Sequence, residues 1–134
     1  MRFRIKSAPP EEIKVPLEVN YYDEISKQVT QVSVSHLFSY PTTEQREQYQ
    51  QKLVVVKGKK VKPASAPDAA WWLWCQCVKS VEGYDDERGV PIVCDKPGEW
   101  KRSFNNDVLR PHVEGAIQGL LDHIGANEGE IEKN

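Results

Sequence analysis

An α+β fold is what this 134-residue chain predicts: an N-terminal antiparallel β-hairpin, or small sheet, packed against a Trp-rich helix and a C-terminal amphipathic helix. Three observations carry that prediction. Residues 13–40 hold two long stretches of strict apolar/polar alternation joined by a short polar loop, the signature of a hairpin with one buried face. Residues 67–83 hold three of the four Trp residues within four positions, on a segment with helical periodicity. Residues 109–124 repeat apolar side chains at helical spacing.

In chain order, Arg2 to Lys6 reads as a short opening strand, with Phe3 and Ile5 alternating with basic residues. From Ile13 the alternation is clean. Ile13, Val15, Leu17, Val19 and Tyr21 share one face, and Lys14, Pro16, Glu18 and Asn20 the other. Pro16 has no N–H for a ladder, which places this strand at an edge or at a bulge. After the loop at 22–27, a second strand runs from Gln28 to about Tyr40. Val32, Val34, His36, Phe38 and Tyr40 lie on its apolar face. The Trp helix is the expected cover for that face. His36 reads as a satisfied half-buried residue, with no acid or Cys near it in sequence.

Thr42 and Gln45 fit a capping box at the head of a polar surface helix to about Leu53, whose apolar contacts are Tyr49 and Leu53. Residues 54–67, VVVKGKKVKPASAP, form a Lys/Pro-rich variable loop or linker. Pro67 and Asp68 signal the next helix start, with Asp68 as its cap. At 100° per residue, Ala70, Trp74, Cys77, Val78 and Val81 form a core stripe with Trp71 and Cys75 at its edge. Trp72 projects among Gln76, Lys79 and Ser80. Either another element of the chain covers it, or it anchors a partner. Gly83 ends this helix.

The turn GYDDERG follows. Asp85, Asp86 and Glu87 lack the alternate spacing of a calcium loop. Val90 to Cys94 reads as a short strand, and Asp95 to Arg102 as a loop. Asn105–Asp107 initiates the last helix, with Pro111 in its first turn and the stripe Leu109, Val113, Ala116, Ile117, Leu120, Leu121 and Ile124. Gly115 and Gly119 share its other side. Either another backbone element approaches closely there, or a second subunit does. Gly125 stops the helix. The domain then spans 1–126, with 127–134 a disordered polar tail.

Composition narrows the function. A net charge of −2 argues against nucleic acid as the main partner, and no apolar run reaches membrane-spanning length. The N-terminus lacks the apolar core of a signal peptide. Cys75, Cys77 and Cys94 read as reduced thiols; the first two diverge by about 160° around a helix. His112 and His123 stand three turns apart, too far to share a metal. The Lys-rich stretch lacks aromatic residues to stack on bases, and GKK lacks the flanking residues of a phosphate loop. There is no nucleophile elbow, no Cys/His arrangement and no carboxylate pair within reach of a His, so the expectation is a non-enzyme without metal or cofactor.

The segment Trp71–Tyr84, an apolar helix ending in EGYDD, then Gly89-Val90-Pro91-Ile92 leading to the helix Leu109–Ile124, resembles the tail assembly chaperones of long-tailed bacteriophages. The opening FRIK strand and hairpin fit the same order. The resemblance implies a chaperone that binds the tape-measure protein, keeps its apolar helices soluble and helps recruit tail-tube protein. It would act in the cytoplasm of the bacterial host and be absent from the mature virion. Under that reading Trp72, Tyr84 and Trp100 are the candidate partner-binding residues. Self-association would use the hairpin edge or the Gly115/Gly119 face. The other class carried by the sequence is a virion structural protein, a tail terminator or head–tail connector ring subunit.

Overall fold

The structure, a computed structural model, describes residues 11–53, 66–95 and 100–132, with side chains as far as Gly125. The expected opening strand and the Lys-rich stretch to Ser65 lie outside the described residues. Two 12-residue strands, β1 (Glu12–Asp23) and β2 (Gln28–Ser39), pair antiparallel without interruption from Glu12↔Ser39 to Asp23↔Gln28. The sheet order is β1-β2-β3, so β1 is an edge. Pro16 sits opposite Ser35. Having no N–H to exchange, it occupies a pair without ladder bonds, and its missing donor falls on the edge that no other described strand pairs with. Asp23 holds the hairpin turn by accepting from the N–H groups of Ile25 and Ser26 (2.9 and 3.5 Å).

Helix α1 (Thr43–Lys52) carries the expected capping box. Gln45 N–H donates to Thr42 Oγ1 and Thr42 N–H to Gln45 Oε1. Its two apolar residues, Tyr49 and Leu53, are both buried. Helix α2 (Pro67–Cys77) follows, with Ala66 at its N-cap; Asp68 makes no cap hydrogen bond. The Asp68 carboxylate instead accepts from Arg110, which also donates to Pro67 O and so clips α2 to the last helix.

Where the periodicity predicts helix through Gly83, the chain leaves α2 at Cys77 and forms β3 (Val78–Glu82), antiparallel to β2. The stripe residues Val78 and Val81 still reach the core, but from a strand. Two causes are visible. Val is a good strand residue, and β2 has a free edge whose ladder bonds a third strand satisfies, with Ser39 Oγ donating to the last helical carbonyl, Cys77 O. Gly83 closes this strand at φ +91° rather than capping a helix; a Cβ there would stand 2.9 Å from Ser33 O.

The expected strand at Val90–Cys94 is coil, tied back by one bridge, Asp85↔Pro91. Asp86 uses its carboxylate inside this turn, accepting from Arg88 and Val90 N–H. Across the end of the expected loop 95–102, a 3-10 turn at Lys101–Phe104 accompanies the burial of Trp100 and Phe104. Asn106 Oδ1 accepts from Val108 and Leu109 N–H and starts α3 (Arg110–Glu132). Gly125 does not stop this helix. Its φ is not positive, and α3 continues through most of the expected tail.

The hairpin's apolar face is covered chiefly by α3, with α2 reaching it through Trp74. Gly119 lies on Val15 and Gly115 beside Leu17. Four helix residues, about 6 Å, thus match two strand residues in the opposite direction, about 7 Å. On that spacing the first turn of α3 is level with Val19. The core closes over Ile13, Val15, Val34 and Phe38 and fades beyond Leu17.

Candidate functional site

Two regions stand out among the described residues: an aromatic cluster inside and a hairpin tip outside. The cluster is centred on Trp74, fully buried on α2. Its ring stacks on Trp71 (5.3 Å between centroids) and packs against Phe104 and Trp100 at 5.2 and 5.7 Å. Phe104 in turn meets Tyr84 at 4.9 Å.

Through this cluster runs a hydrogen-bonded chain. Trp74 Nε1–H donates to His36 Nδ1 at 3.0 Å. An indole only donates, so His36 Nδ1 is a lone pair and the neutral ring carries its proton on Nε2. That proton goes to the Tyr84 hydroxyl, 2.9 Å away, and Tyr84 donates onward to His112 Nδ1 at 3.0 Å. Every tautomer in the chain follows from its first donor. His36 is 0% exposed. Burial, and then the charge of His112, push its pKa down from 6.5 to about 3. Burial lowers His112 as well and pushes the Tyr84 phenol well up. At neutral pH the chain is therefore uncharged. It satisfies four polar groups from β2, α2, α3 and the turn after β3, and so locks these elements together.

This geometry places the sequence-derived candidates differently from expectation. Trp100 is 4% exposed and enclosed by Trp74 and Phe104, so it offers no surface to a partner. Tyr84 is half-buried, with its hydroxyl engaged on both sides. Trp72 is half-buried against the core, with the Lys52 ammonium of α1 over its ring at 4.9 Å. Gly115 and Gly119 face β1 within the same chain. Close packing on Val15 accounts for the missing side chain at Gly119; at Gly115 a Cβ would meet Leu17 Cδ2 at an ordinary 3.6 Å. The hairpin edge is also guarded: Pro16 removes a donor at mid-strand, a device that discourages strand addition.

The relay itself lay beyond sequence reading. Residues 36, 84 and 112 are far apart in the chain, and the one hint was a His on an apolar strand face. Among the described residues no three His, Cys, Asp or Glu side chains gather into a metal site, and the three cysteines are free. No described helix is long and apolar enough to cross a membrane.

The tip is the second region. Tyr21 (59% exposed), Tyr22 (54%), Ile25 (96%) and Val29 (66%) cluster around the β1–β2 turn. Tyr21 faces the same way as the core residues of β1, and Tyr22, opposite Val29, the other way. The tip is apolar on both sides. From Val19 to Asp23 it extends about 13 Å beyond the level of the first turn of α3.

Comparison with protein-family models, with curated proteins and with solved structures returns no match.

Proposed function

We propose that this chain is a non-catalytic tail assembly chaperone of a long-tailed phage or prophage. It binds apolar helices of a tape-measure protein in the host cytoplasm, many copies to one client, and aids assembly of the tail-tube protein around it. The observation that carries this reading is the exposed hairpin tip. Large apolar side chains held clear of the core on a rigid two-stranded arm are what a client-binding protein needs, and a self-contained monomer has no use for them. The order of elements, hairpin, apolar helix, GYDD turn and last helix, supports it through the resemblance described above. The imidazoles point the same way. His36 is sealed from solvent and held between two neighbours, an arrangement suited to fixing the fold rather than to moving protons.

Co-expression with a tape-measure candidate from the same genome tests this. The client is expected to become soluble only alongside this chain and to co-purify with several copies of it. A client indifferent to the chain, together with closed rings of this protein by light scattering, would replace the reading with that of a virion ring subunit.

A further inference from the structure

We infer that the β1–β2 tip is the docking site, and that its occupant is an amphipathic helix whose apolar stripe is flanked by basic residues. The inference rests on the client-binding reading above and supplies its site and the chemistry of the partner.

Three observations select this occupant. The first is charge. At the base of the hairpin the acids are matched by lysines, Lys14 with Glu82 (3.2 Å) and Lys79 with Glu12 (2.9 Å). Around the tip, residues 18–33 carry Glu18, Asp23 and Glu24 against Lys27 alone. The apolar tip is therefore rimmed by a net charge of −2 (three acids less one base). Two copies meeting tip to tip would bring these rims together, whereas a helix with Lys or Arg beside its apolar stripe complements them.

The second is area. Tyr21, Tyr22, Ile25 and Val29 together expose on the order of 500 Å², divided between the two faces of the hairpin. A standard stable interface uses about 800 Å² per partner. The patch is too small for a permanent dimer and suited to reversible capture of one helix at a time, with avidity along a long client supplying the rest.

The third is that capture rests on side chains. Pro16 breaks the donor row of the β1 edge that no other described strand pairs with, so an added strand would lose a bond at mid-length. A helix, with its backbone bonds already satisfied, needs only the Tyr, Ile and Val surfaces and the acidic rim.

The probe is a fluorescein-labelled 18-residue peptide of Leu and Lys in helical period, followed by anisotropy at physiological salt. A Leu/Glu peptide of the same pattern and a Ser/Lys peptide of the same charge serve as comparisons. Micromolar binding of the Leu/Lys peptide is expected, with each comparison at least tenfold weaker. The double variant Tyr21→Ser/Ile25→Ser should lose at least tenfold in affinity while keeping the wild-type melting temperature and near-ultraviolet Trp signal. Three results overturn the inference: equal binding of the Leu/Lys and Ser/Lys peptides, unchanged binding by the double variant, or a dimer in sedimentation that the double variant abolishes. The same variant separates this inference from the chaperone reading. If wild type and variant solubilise the tape-measure client equally, the chaperone reading stands and the tip assignment falls. If wild type fails to solubilise the client but binds the peptide through its tip, the reverse holds.

Discussion

The two halves of the hairpin carry one alternating pattern and meet opposite fates. On the face they share, Ile13, Val15, Val34 and Phe38 at the base are buried while Tyr21 at the tip is largely exposed, as are Ile25 in the turn and Val29 on the other face. Alternation specifies which side chains share a face. It does not specify how far that face is covered. The cover is set by a remote element: α3 enters near Val19 and runs toward the base, with two glycines where it presses on β1. The base is where the buried core lies and the tip is where apolar surface stays exposed.

The sharpest way to break this contrast is at Trp74. Trp74→Ala removes the centre of the aromatic cluster and strips His36 of the donor that sets its tautomer. A loss of about 3–5 kcal/mol is expected, by the scale of large aromatic truncations in cores. Urea unfolding with Trp fluorescence from the remaining Trp residues measures it. Trp74→Phe should recover part of this, leaving mainly the cost of an unpaired buried His36, about 1–3 kcal/mol. Losses below about 1 kcal/mol for Trp74→Ala would mean that the cluster is not the anchor of the base.

Much of the base was legible in the sequence, and for local reasons. The strand faces follow from a period of two, the α1 start from Thr42 and Gln45, and the α3 stripe from helical spacing. β3 was not legible, because Val78–Glu82 continues a helical pattern and becomes a strand only where the free edge of β2 accepts it. The exposure of the aromatics ran opposite to expectation. Trp72 and Trp100 drew attention as binding residues, yet Trp100 is enclosed by the 3-10 turn and Trp72 is half-buried under Lys52, while Trp74 lies in the core as its stripe position predicts. The tyrosines at the turn look like ordinary strand residues until the end of the cover is known. The His36–Tyr84–His112 chain needs three distant segments to meet, and no local pattern encodes that.

A second test uses pH. The folded pKa of His36 is depressed to about 3 from an unfolded value of 6.5, and that of His112 is depressed too. Below pH 6.5 the unfolded state takes up protons that the fold refuses. Stability is therefore fully present above pH 6.5 and falls as pH drops toward 3, by about 1.4 kcal/mol per pH unit from His36 alone. Unfolding midpoints in urea at pH 7.5 and pH 4.5 should differ by about 2–3 kcal/mol on that slope. Because the loss originates in the base, near-ultraviolet Trp signals should change together with it. The exposed tip, residues 19–29, carries no histidine. Equal stability at the two pH values would show that the relay tolerates charge and is not the lock inferred here.

The smallest effects locate the boundary itself. A Cβ on Gly119 would lie 2.5 Å from Val15 Cγ1, inside any allowed contact, whereas one on Gly115 would lie 3.6 Å from Leu17 Cδ2, at ordinary packing distance. Both glycines are helical, so alanine brings the same propensity gain at each, up to about 1 kcal/mol. At Gly119 overpacking against a buried β-branched residue outweighs it, and Gly119→Ala should be net destabilising by about 1 kcal/mol. At Gly115 nothing opposes the gain, and Gly115→Ala should stabilise by a few tenths to about 1 kcal/mol. Opposite signs from two identical substitutions one helical turn apart would show the grip of α3 on β1 loosening between Val15 and Leu17, toward the tip. Destabilisation at both positions would mean that the cover stays tight past Leu17, and the tip would then begin farther out than the exposed tyrosines imply.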